Sequence, residues 1–486
     1  MSARRRFGTL ETLAIVVLAS WSAIVGAQSC TPDSMVPHAP VTVVYDHPGG
    51  VTHATIIAPA SDGSVRAVDA VTTAPLWTFT PPELATASAT TGLLTDLRVL
   101  RFDANGDGVI DVGTGDKVWL YFGLRRAGAV YYALDISDRT HVHVLWRVDA
   151  TTLNGLSSAW STPTIARVRV AGASQNGEHF VLIFGGGHDT AGGGNRVFMV
   201  DAATGHLLWQ IATMSPVPAG VAVLDTDADD YADRMYAVEI TGRVWRFDIW
   251  NGHPSATLAT GGVIADLRDP TLTAAAAPQF FNTPDVALIQ PRGGTPYYNI
   301  AVGADRFYAI RDRLPFDARS QASYDAGTPI LFTDLVAVSG STPLAPDAPG
   351  WTFALGAGEQ VAASAITANG VVMFTTFHQT AVSSTCVVTG STRIYAVLID
   401  TAQAGVDLDG DGKITSTDVS QALPTLTEPA AVSIRLGATD QSVAQTNHDA
   451  PPTALTPECT VGSTTLKACV TTSALVRTFW QRRGVK

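Results

Sequence analysis

The 486-residue chain lacks most of what marks a catalytic or nucleic-acid-binding protein. It has no Gly-x-Ser-x-Gly elbow, no His-Glu-x-x-His pair and no phosphate-binding loop, so the sequence offers no basis for a serine hydrolase, a zinc hydrolase or a nucleotide enzyme. Lysine occurs only at Lys117, Lys413, Lys467 and Lys486, and 31 basic residues face 43 acidic ones for a net charge of −12. Such a surface repels phosphate backbones and favours cations, so nucleic acid is not expected as a partner. Cysteine is scarce as well: Cys30, Cys386, Cys459 and Cys469 include neither a Cys-x-x-Cys pair nor the close pairs of a zinc ribbon. In an oxidising compartment an even number favours two disulfides, with Cys459 and Cys469 the nearest local pair.

Long apolar runs are missing except at the start, so no membrane span is expected in the mature chain. There Arg4-Arg5-Arg6 precedes an apolar stretch from Leu13 to Ile24 and the small residues Val25-Gly26-Ala27, the layout of a signal peptide over 1–27. The Arg4-Arg5-Arg6-Phe7 run also fits a weak twin-arginine signal, and both export routes stay open. Either makes the protein an exported one. A short lead-in over 28–45 and a single body over 46–486 follow.

Short apolar-polar alternations between Gly, Asp, Asn and Pro clusters, with little helical periodicity, predict an all-β fold. A unit recurs in which a strand ends in aspartate, turns, and reaches a hydrophobic-Trp pair. Val65 to Asp69 leads to Leu76-Trp77, Tyr131 to Asp135 leads to Leu145-Trp146, and Val197 to Asp201 leads through Thr204-Gly205 to Leu208-Trp209. Weaker copies lie at Val244 to Asp248, Phe307 to Ile310 and Ile394 to Val397. Asp69, Asp135 and Asp201 are spaced by 66 residues (135 − 69 and 201 − 135), longer than the roughly 40–50 of a plain propeller blade. The expected architecture is therefore a β-propeller of quinoprotein-like repeats with decorated blades, six to eight in number and seven by preference. The tryptophans should wedge between neighbouring blades.

Three loops carry the chemistry. In Asp225-Thr226-Asp227-Ala228-Asp229-Asp230-Tyr231-Ala232-Asp233, carboxylates recur at positions 1, 3, 5 and 9, with the Tyr231 carbonyl at position 7. Calcium seeks six to eight oxygens, and odd-position spacing lets a tight loop aim alternate side chains inward. Without a cation the carboxylates would repel one another. Asp103, Asn105, Asp107 and Asp111 repeat the pattern. The third loop, 407–418, places Asp407, Asp409, Asp411, Lys413 and Asp418 at positions 1, 3, 5, 7 and 12, with Gly412 at position 6. It looks like an EF-hand or dockerin-type loop, with Asp418 where glutamate usually stands. Calcium is the expected cofactor at all three. A cysteine-containing segment, 421–486, closes the chain.

Taken in order, Trp160-Ser161-Thr162-Pro163, Phe184-Gly185-Gly186-Gly187-His188-Asp189, Asn195 to Trp209, and the Asp225 loop running into Gly242 to Asp248 resemble the C-terminal propeller of the PilY/PilC family of type IV pilus biogenesis factors and tip adhesins. Gly350-Trp351, Gly358 to Val361, Val372 to Thr376 and Arg477 to Trp480 extend the resemblance over most of the mature chain. It implies a non-catalytic protein of the Gram-negative envelope, in the periplasm, at the outer membrane or on the pilus. Its partners would be minor pilins or pilus machinery, and a surface or host receptor if attachment is among its roles. Asp225, Asp227, Asp229, Tyr231 and Asp233 match the calcium loop that regulates pilus extension and retraction in that family. Full-length relatives carry a large N-terminal region, whereas this chain runs from its signal almost directly into the propeller. Two readings of other classes share the architecture: a periplasmic quinone-dependent dehydrogenase, which commonly shows adjacent cysteines not found here, and a scaffold that would not need the acidic loops.

Overall fold

The computed structural model describes residues 40–423 except 48–50, 61, 87–93, 108–109, 126–127, 173–177, 190, 274–276, 292, 339–343 and 383–387, together with the backbone of 432–436, 457–461 and 464–466. The signal segment and the side chains of the four cysteines lie outside the described residues, as does Arg477 to Trp480.

Successive antiparallel sheets follow one another along the chain. The first contains Val41–His47, Val51–Pro59, Val65–Asp69 and Pro75–Phe79, so the body begins inside the segment read as a lead-in. The second contains Arg98–Phe102, Lys117–Gly123, Val130–Asp135 and His143–Asp149, and the third Thr164–Arg169, Glu178–Gly185, Arg196–Asp201 and Leu207–Ala212. The fourth and fifth are built on Ala222–Leu224, Arg234–Val238, Arg243–Ile249 and Ala259–Asp266, then Asp285–Ile289, Tyr297–Gly303, Arg306–Asp312 and Gly350–Ala354. In the sixth, Glu359–Val361 and Ile366–Ala368 both pair with Val371–Val382, followed by Val388–Leu398 and Ser420–Leu423. All six copies of the repeat seen in the sequence fall on the third strand of one of these sheets. A three-stranded sheet is formed by Val432–Leu436, Pro457–Val461 and Thr464–Leu466. A seventh blade would draw on 424–486, whose side chains are outside the described residues.

Strand periodicity explains the stacking. In Arg196–Asp201 the side chains of Val197 and Met199 join the core shared with the fourth sheet, while Phe198 and Val200 join the core shared with the second. Val181 and Ile183 against Leu182 and Phe184 divide the same way. Alternate residues point to opposite faces, so a strand buried on both sides reads as a continuous apolar run. Each such burial contributes about 1.5–3 kcal/mol. Further cores join the first sheet to the second, the fourth to the fifth and the fifth to the sixth. This is the sequential stacking of a β-propeller.

The tryptophans lock the seams. Trp146 Nε1 donates to the Ala202 carbonyl of the third sheet at 2.9 Å, Trp209 Nε1 to Ala259 of the fourth at 3.0 Å, and Trp351 Nε1 to Ile399 beside the sixth at 2.8 Å. Ala202 opens the turn that Asp201 shapes by accepting from the Ala203 and Thr204 amides and the Thr204 hydroxyl. Gly205 closes that turn at φ +71°, and a Cβ there would lie 2.9 Å from the Trp146 ring. At the first seam Tyr45 takes the corresponding carbonyl, Ile136, at 2.8 Å, and the buried Trp77 Nε1 has no partner among the described residues.

Because successive strands are antiparallel, first-to-second and third-to-fourth connections leave by one end of each sheet. Second-to-third turns and links between sheets leave by the other. The first end carries all three acidic loops and a long strap, 313–349, between the third and fourth strands of the fifth sheet. The strap crosses to the fourth sheet, where helix Gln321–Asp325 contacts Ala259–Asp266 and Ile330–Leu331 adds a parallel edge strand. It then returns as Val336–Val338 beside Gly350–Ala354. Its anchor is a buried ionic group. Arg234 and Arg246 both bind Asp248, Arg246 also binds Asp312 at 2.9 Å, and the two guanidinium groups donate to the carbonyls of Leu314, Pro315 and Asp317. Tyr236 and Tyr324 donate to Asp312 and Asp248.

Asp285, on the innermost strand of the fifth sheet, is 2 % exposed. Its Oδ2 accepts from the Thr367 hydroxyl of the sixth sheet at 2.5 Å, and its Oδ1 has no partner among the described residues. Burial pushes its carboxyl up to about 7, against the pull of the Thr367 bond.

Two outcomes follow from these contacts. Gly205→Ala should lose about 1–3 kcal/mol in urea titration, from the left-handed backbone and the Trp146 contact together. Asp285, titrating higher when folded than unfolded, contributes stability that is complete below about pH 4 and is lost as pH rises through its raised value. Asp285→Asn keeps an acceptor for Thr367, so at pH 8 it should be more stable than wild type by on the order of 2 kcal/mol, with no gain at pH 4. Denaturant midpoints across that range measure the difference.

Candidate metal centre

The Asp225 loop joins Ala222–Leu224 to Arg234–Val238. Its carboxylates first organise their own backbone. Asp225 Oδ1 accepts from Ala228 N at 2.7 Å and Oδ2 from Asp230 N at 2.9 Å, while Asp229 Oδ1 accepts from Tyr231 N at 2.9 Å. Asp227 Oδ1 accepts from Asp229 N at 3.2 Å. These bonds wind the chain so that one oxygen from each of Asp225, Asp227 and Asp229 lies within 4.8 Å of the others. Ala228 and Asp230 take φ values of +65° and +72°, a conformation that disfavours side chains.

Asp233 closes the loop rather than joining that group. Its Oδ2 accepts from the Thr226 amide at 2.7 Å and the Thr226 hydroxyl at 2.8 Å. Tyr231 is buried, with Arg169 3.7 Å and Arg167 4.8 Å from its ring centre, and Arg169 also reaches Asp229 at 3.5 Å. Burial first, then the charges of Asp233 and Asp229, raise the Asp225 carboxyl. Burial first, then Asp227 and Asp229, raise that of Asp233. Negative charge here is under-compensated, the electrostatic condition that a bound cation relieves.

The loop at 407–418 uses the same bonds. Asp407 accepts from Gly410 N at 2.7 Å and Gly412 N at 2.8 Å, Asp409 from Asp411 N at 3.0 Å, and Asp411 from Lys413 N at 2.8 Å. Glycines supply the positive φ that Ala228 and Asp230 supply in the other loop, +76° at Gly410 and +89° at Gly412. Carboxylate oxygens of Asp407, Asp409 and Asp418 converge within 4.8 Å. Asp418, 1 % exposed, also accepts from Leu408 N and Thr415 N, and the Thr415 amide is the chief influence holding its carboxyl low. The flanks are not those of an EF-hand. A strand precedes the loop, the single turn Ser416–Val419 ends it, and Ile414 is exposed.

The loop beginning at Asp103 shares only the opening. Asp103 accepts from Gly106 N at 2.7 Å, Asn105 accepts from Asp107 N at 2.9 Å, and the Asn105 amide donates to Asp107. Asp111 turns to the Gly113 amide instead of toward them. The closing role that Asp233 has in the Asp225 loop belongs here to Asp116, fully buried, which accepts from Ala104 N at 2.7 Å, Asp111 N at 2.8 Å and the Thr114 hydroxyl at 2.9 Å. Burial pushes the Asp116 carboxyl up, and these donors outweigh it and hold it low. Asp116 was missed in the sequence because its spacing differs. The available signal was position relative to the strand: Asp116 immediately precedes Lys117–Gly123, as Asp233 immediately precedes Arg234–Val238.

No family profile matches the chain. Over 369 residues it is 26 % identical to a type IV pilus biogenesis factor PilY1 homolog of Xylella fastidiosa, an alignment covering 67 % of this chain and 24 % of that protein. Over 221 residues it is 27 % identical to the type IV pilus biogenesis factor PilY1 of Pseudomonas aeruginosa, covering 41 % and 18 %. The crystal structure of the P. aeruginosa PilY1 C-terminal domain superposes with a TM-score of 0.60 at 16 % identity, over 85 % of this chain and 92 % of that domain. The chain is thus similar to PilY1-type proteins over about two thirds of its length. It spans about a quarter or less of the length of these curated PilY1 relatives, and the superposition assigns it the fold of the PilY1 C-terminal domain. In this propeller, Asp225 and its neighbours stand on the first hairpin of the fourth sheet.

Asp227→Asn removes one charge while keeping the acceptor for Asp229 N. In metal-free buffer it should raise the melting temperature by about 1 °C, equivalent to roughly 0.5 kcal/mol of relieved repulsion. It should also flatten the loss of stability that Asp225 and Asp233 cause as pH rises above about 4. In calcium-containing buffer the variant should instead melt below wild type. Paired scans with and without chelator read both signs.

Proposed function

We propose that this protein is an exported, non-catalytic factor of type IV pilus biogenesis that binds calcium at the Asp225 loop and uses occupancy to bias pilus extension against retraction. The convergence of Asp225, Asp227 and Asp229 within 4.8 Å, on a loop where burial and then neighbouring charge push the Asp225 and Asp233 carboxyls upward, supports this reading. The similarity to PilY1 proteins supports the pilus context. Calcium would take carboxylate oxygens from those three residues and the carbonyl of Tyr231, with Asp233 holding the loop closed. Seven or so oxygens with variable angles suit calcium better than magnesium, which requires a tighter octahedron. Filling the loop would fix the hairpin Ala222–Val238 in one arrangement, and only a difference in affinity between two arrangements can shift their balance. The loop at 407–418 is a second calcium site on this reading, and the one at 103–111 a third with Asp116 as its closing carboxylate. Minor pilins or the pilus machinery are the proposed partners, in the periplasm or at the outer surface, with surface attachment as an accompanying role.

Calcium titration by calorimetry, comparing wild type with an Asp225→Ala, Asp229→Ala double variant, tests the central step. Loss of one site from a folded variant supports it. Equal binding by both would reduce the Asp225 loop to an acidic turn.

A further inference from the structure

The face opposite the acidic loops carries a cleft that the pilus reading leaves unused. It lies at the seam of the fifth and sixth sheets, with a cavity of about 490 Å³ walled by the link 277–282, the turn at 303–305 and the strand start at 360–361. A second cavity of about 290 Å³ adjoins it, sharing Asp305 and Gln360 and continuing along 354–358. The groove is therefore elongated. At one end stands the ring of Phe281, half-buried, 5.8 Å from Trp160 and 6.4 Å from His188 between ring centres. Side-chain amides from Gln279, Asn282 and Gln360 line the walls. Asn282 Nδ2 donates to the Val361 carbonyl at 3.1 Å, which leaves its oxygen as an acceptor, and Gln279 and Gln360 are exposed.

The charged residues lining the two cavities are Asp305, Arg306 and Glu359, and Glu359 is already engaged by Arg393 and Tyr395. Asp305 and the adjacent Arg306 offset one another, which disfavours a strongly charged ligand. What remains is an aromatic face beside planar groups that each offer a donor and an acceptor, or two acceptors, side by side. That combination matches a pyranose: its C–H face lies against a ring, and its neighbouring hydroxyls bond in pairs to amides and carboxylates. Pockets of this size bury small ligands with a few fixed polar contacts. We propose that this groove binds a neutral linear oligosaccharide, with Phe281 as the stacking platform and Gln360 and Asp305 as hydroxyl partners at the junction of the two cavities. The inference is independent of the acidic loops, which lie at the other end of the sheets.

Saturation-transfer NMR on the whole chain tests it, using tetrasaccharides of β-1,4-linked N-acetylglucosamine, β-1,4-glucose, α-1,4-glucose and β-1,4-galactose as probes. At least one should receive saturation from wild type. Gln360→Ala, an exposed change that leaves the core intact, should weaken that probe's binding about tenfold, the loss of a paired hydroxyl contact. Phe281→Ala should abolish the transfer, with far-ultraviolet circular dichroism confirming the fold. Absence of transfer from all four probes to wild type overturns the proposal, and so does wild-type affinity in Gln360→Ala.

Discussion

The seam between consecutive blades is the constraint on which the rest of this structure depends. A four-stranded sheet with apolar side chains on both faces has no stable existence alone, and each of these sheets finds both partners only by standing between two others. The hydrogen bond from Trp146 to the Ala202 carbonyl sets the register of one such contact, because the carbonyl is fixed by the Asp201 turn and the indole by the strand before it. Gly205 is the residue that lets both fit. The repeat visible in the sequence is thus a docking device, with one half on each side of a seam.

Where the repeat weakens, a different device replaces it. Asp248 occupies the position that shapes the turn in earlier blades, yet here it is buried under Arg234 and Arg246 and receives the Arg319 amide and the Tyr324 hydroxyl. Two guanidinium groups in a dry site are stable only if their donors are used, and the strap carbonyls at Leu314, Pro315 and Asp317 use them. The fourth and fifth blades are therefore tied by ionic bonds and a shared strap in addition to their core. Arg234 also follows directly on Asp233, so the acidic loop and the strap are anchored on neighbouring residues of one strand.

Much of this was legible from the chain alone. Every copy of the repeat proved to be a third strand, since an apolar run ending in aspartate and a turn is a local pattern that burial on two faces enforces. The convergence at Asp225, Asp227 and Asp229 followed from odd-position spacing, which the loop's own amide bonds impose. Asp116 was not legible, because it closes its loop from outside the spacing pattern and is recognisable only by its place before a strand. The pairing of Arg246 with Asp312 was hidden too, for it joins the third strands of two blades across 66 residues with no periodic signal to mark it. The groove beside Phe281 depends on the link leading into the fifth blade together with segments of the fifth and sixth, and separation of that kind leaves no trace in a single stretch of sequence.

The acidic loops at 225–233 and 407–418 share one hydrogen-bonding scheme but not one backbone cost. At 407–418 glycines occupy both left-handed positions, so the loop holds its shape with little strain. In the Asp225 loop those positions are Ala228 and Asp230, each less favourable than glycine by about 1 kcal/mol, and the Asp225 and Asp233 carboxyls are raised by burial first and then by the neighbouring charges. Strain and uncompensated charge fall on the same nine residues. The surrounding structure holds them there: Asp233 N donates to Leu224 O, Ala232 N to Arg167 O, and the side chain of Asn251 to Ala232 O. A loop fixed at its ends and unfavourable in its middle is poised to respond to anything that neutralises the middle. That separates the Asp225 loop from its counterpart at 407–418, where glycines already relax the backbone.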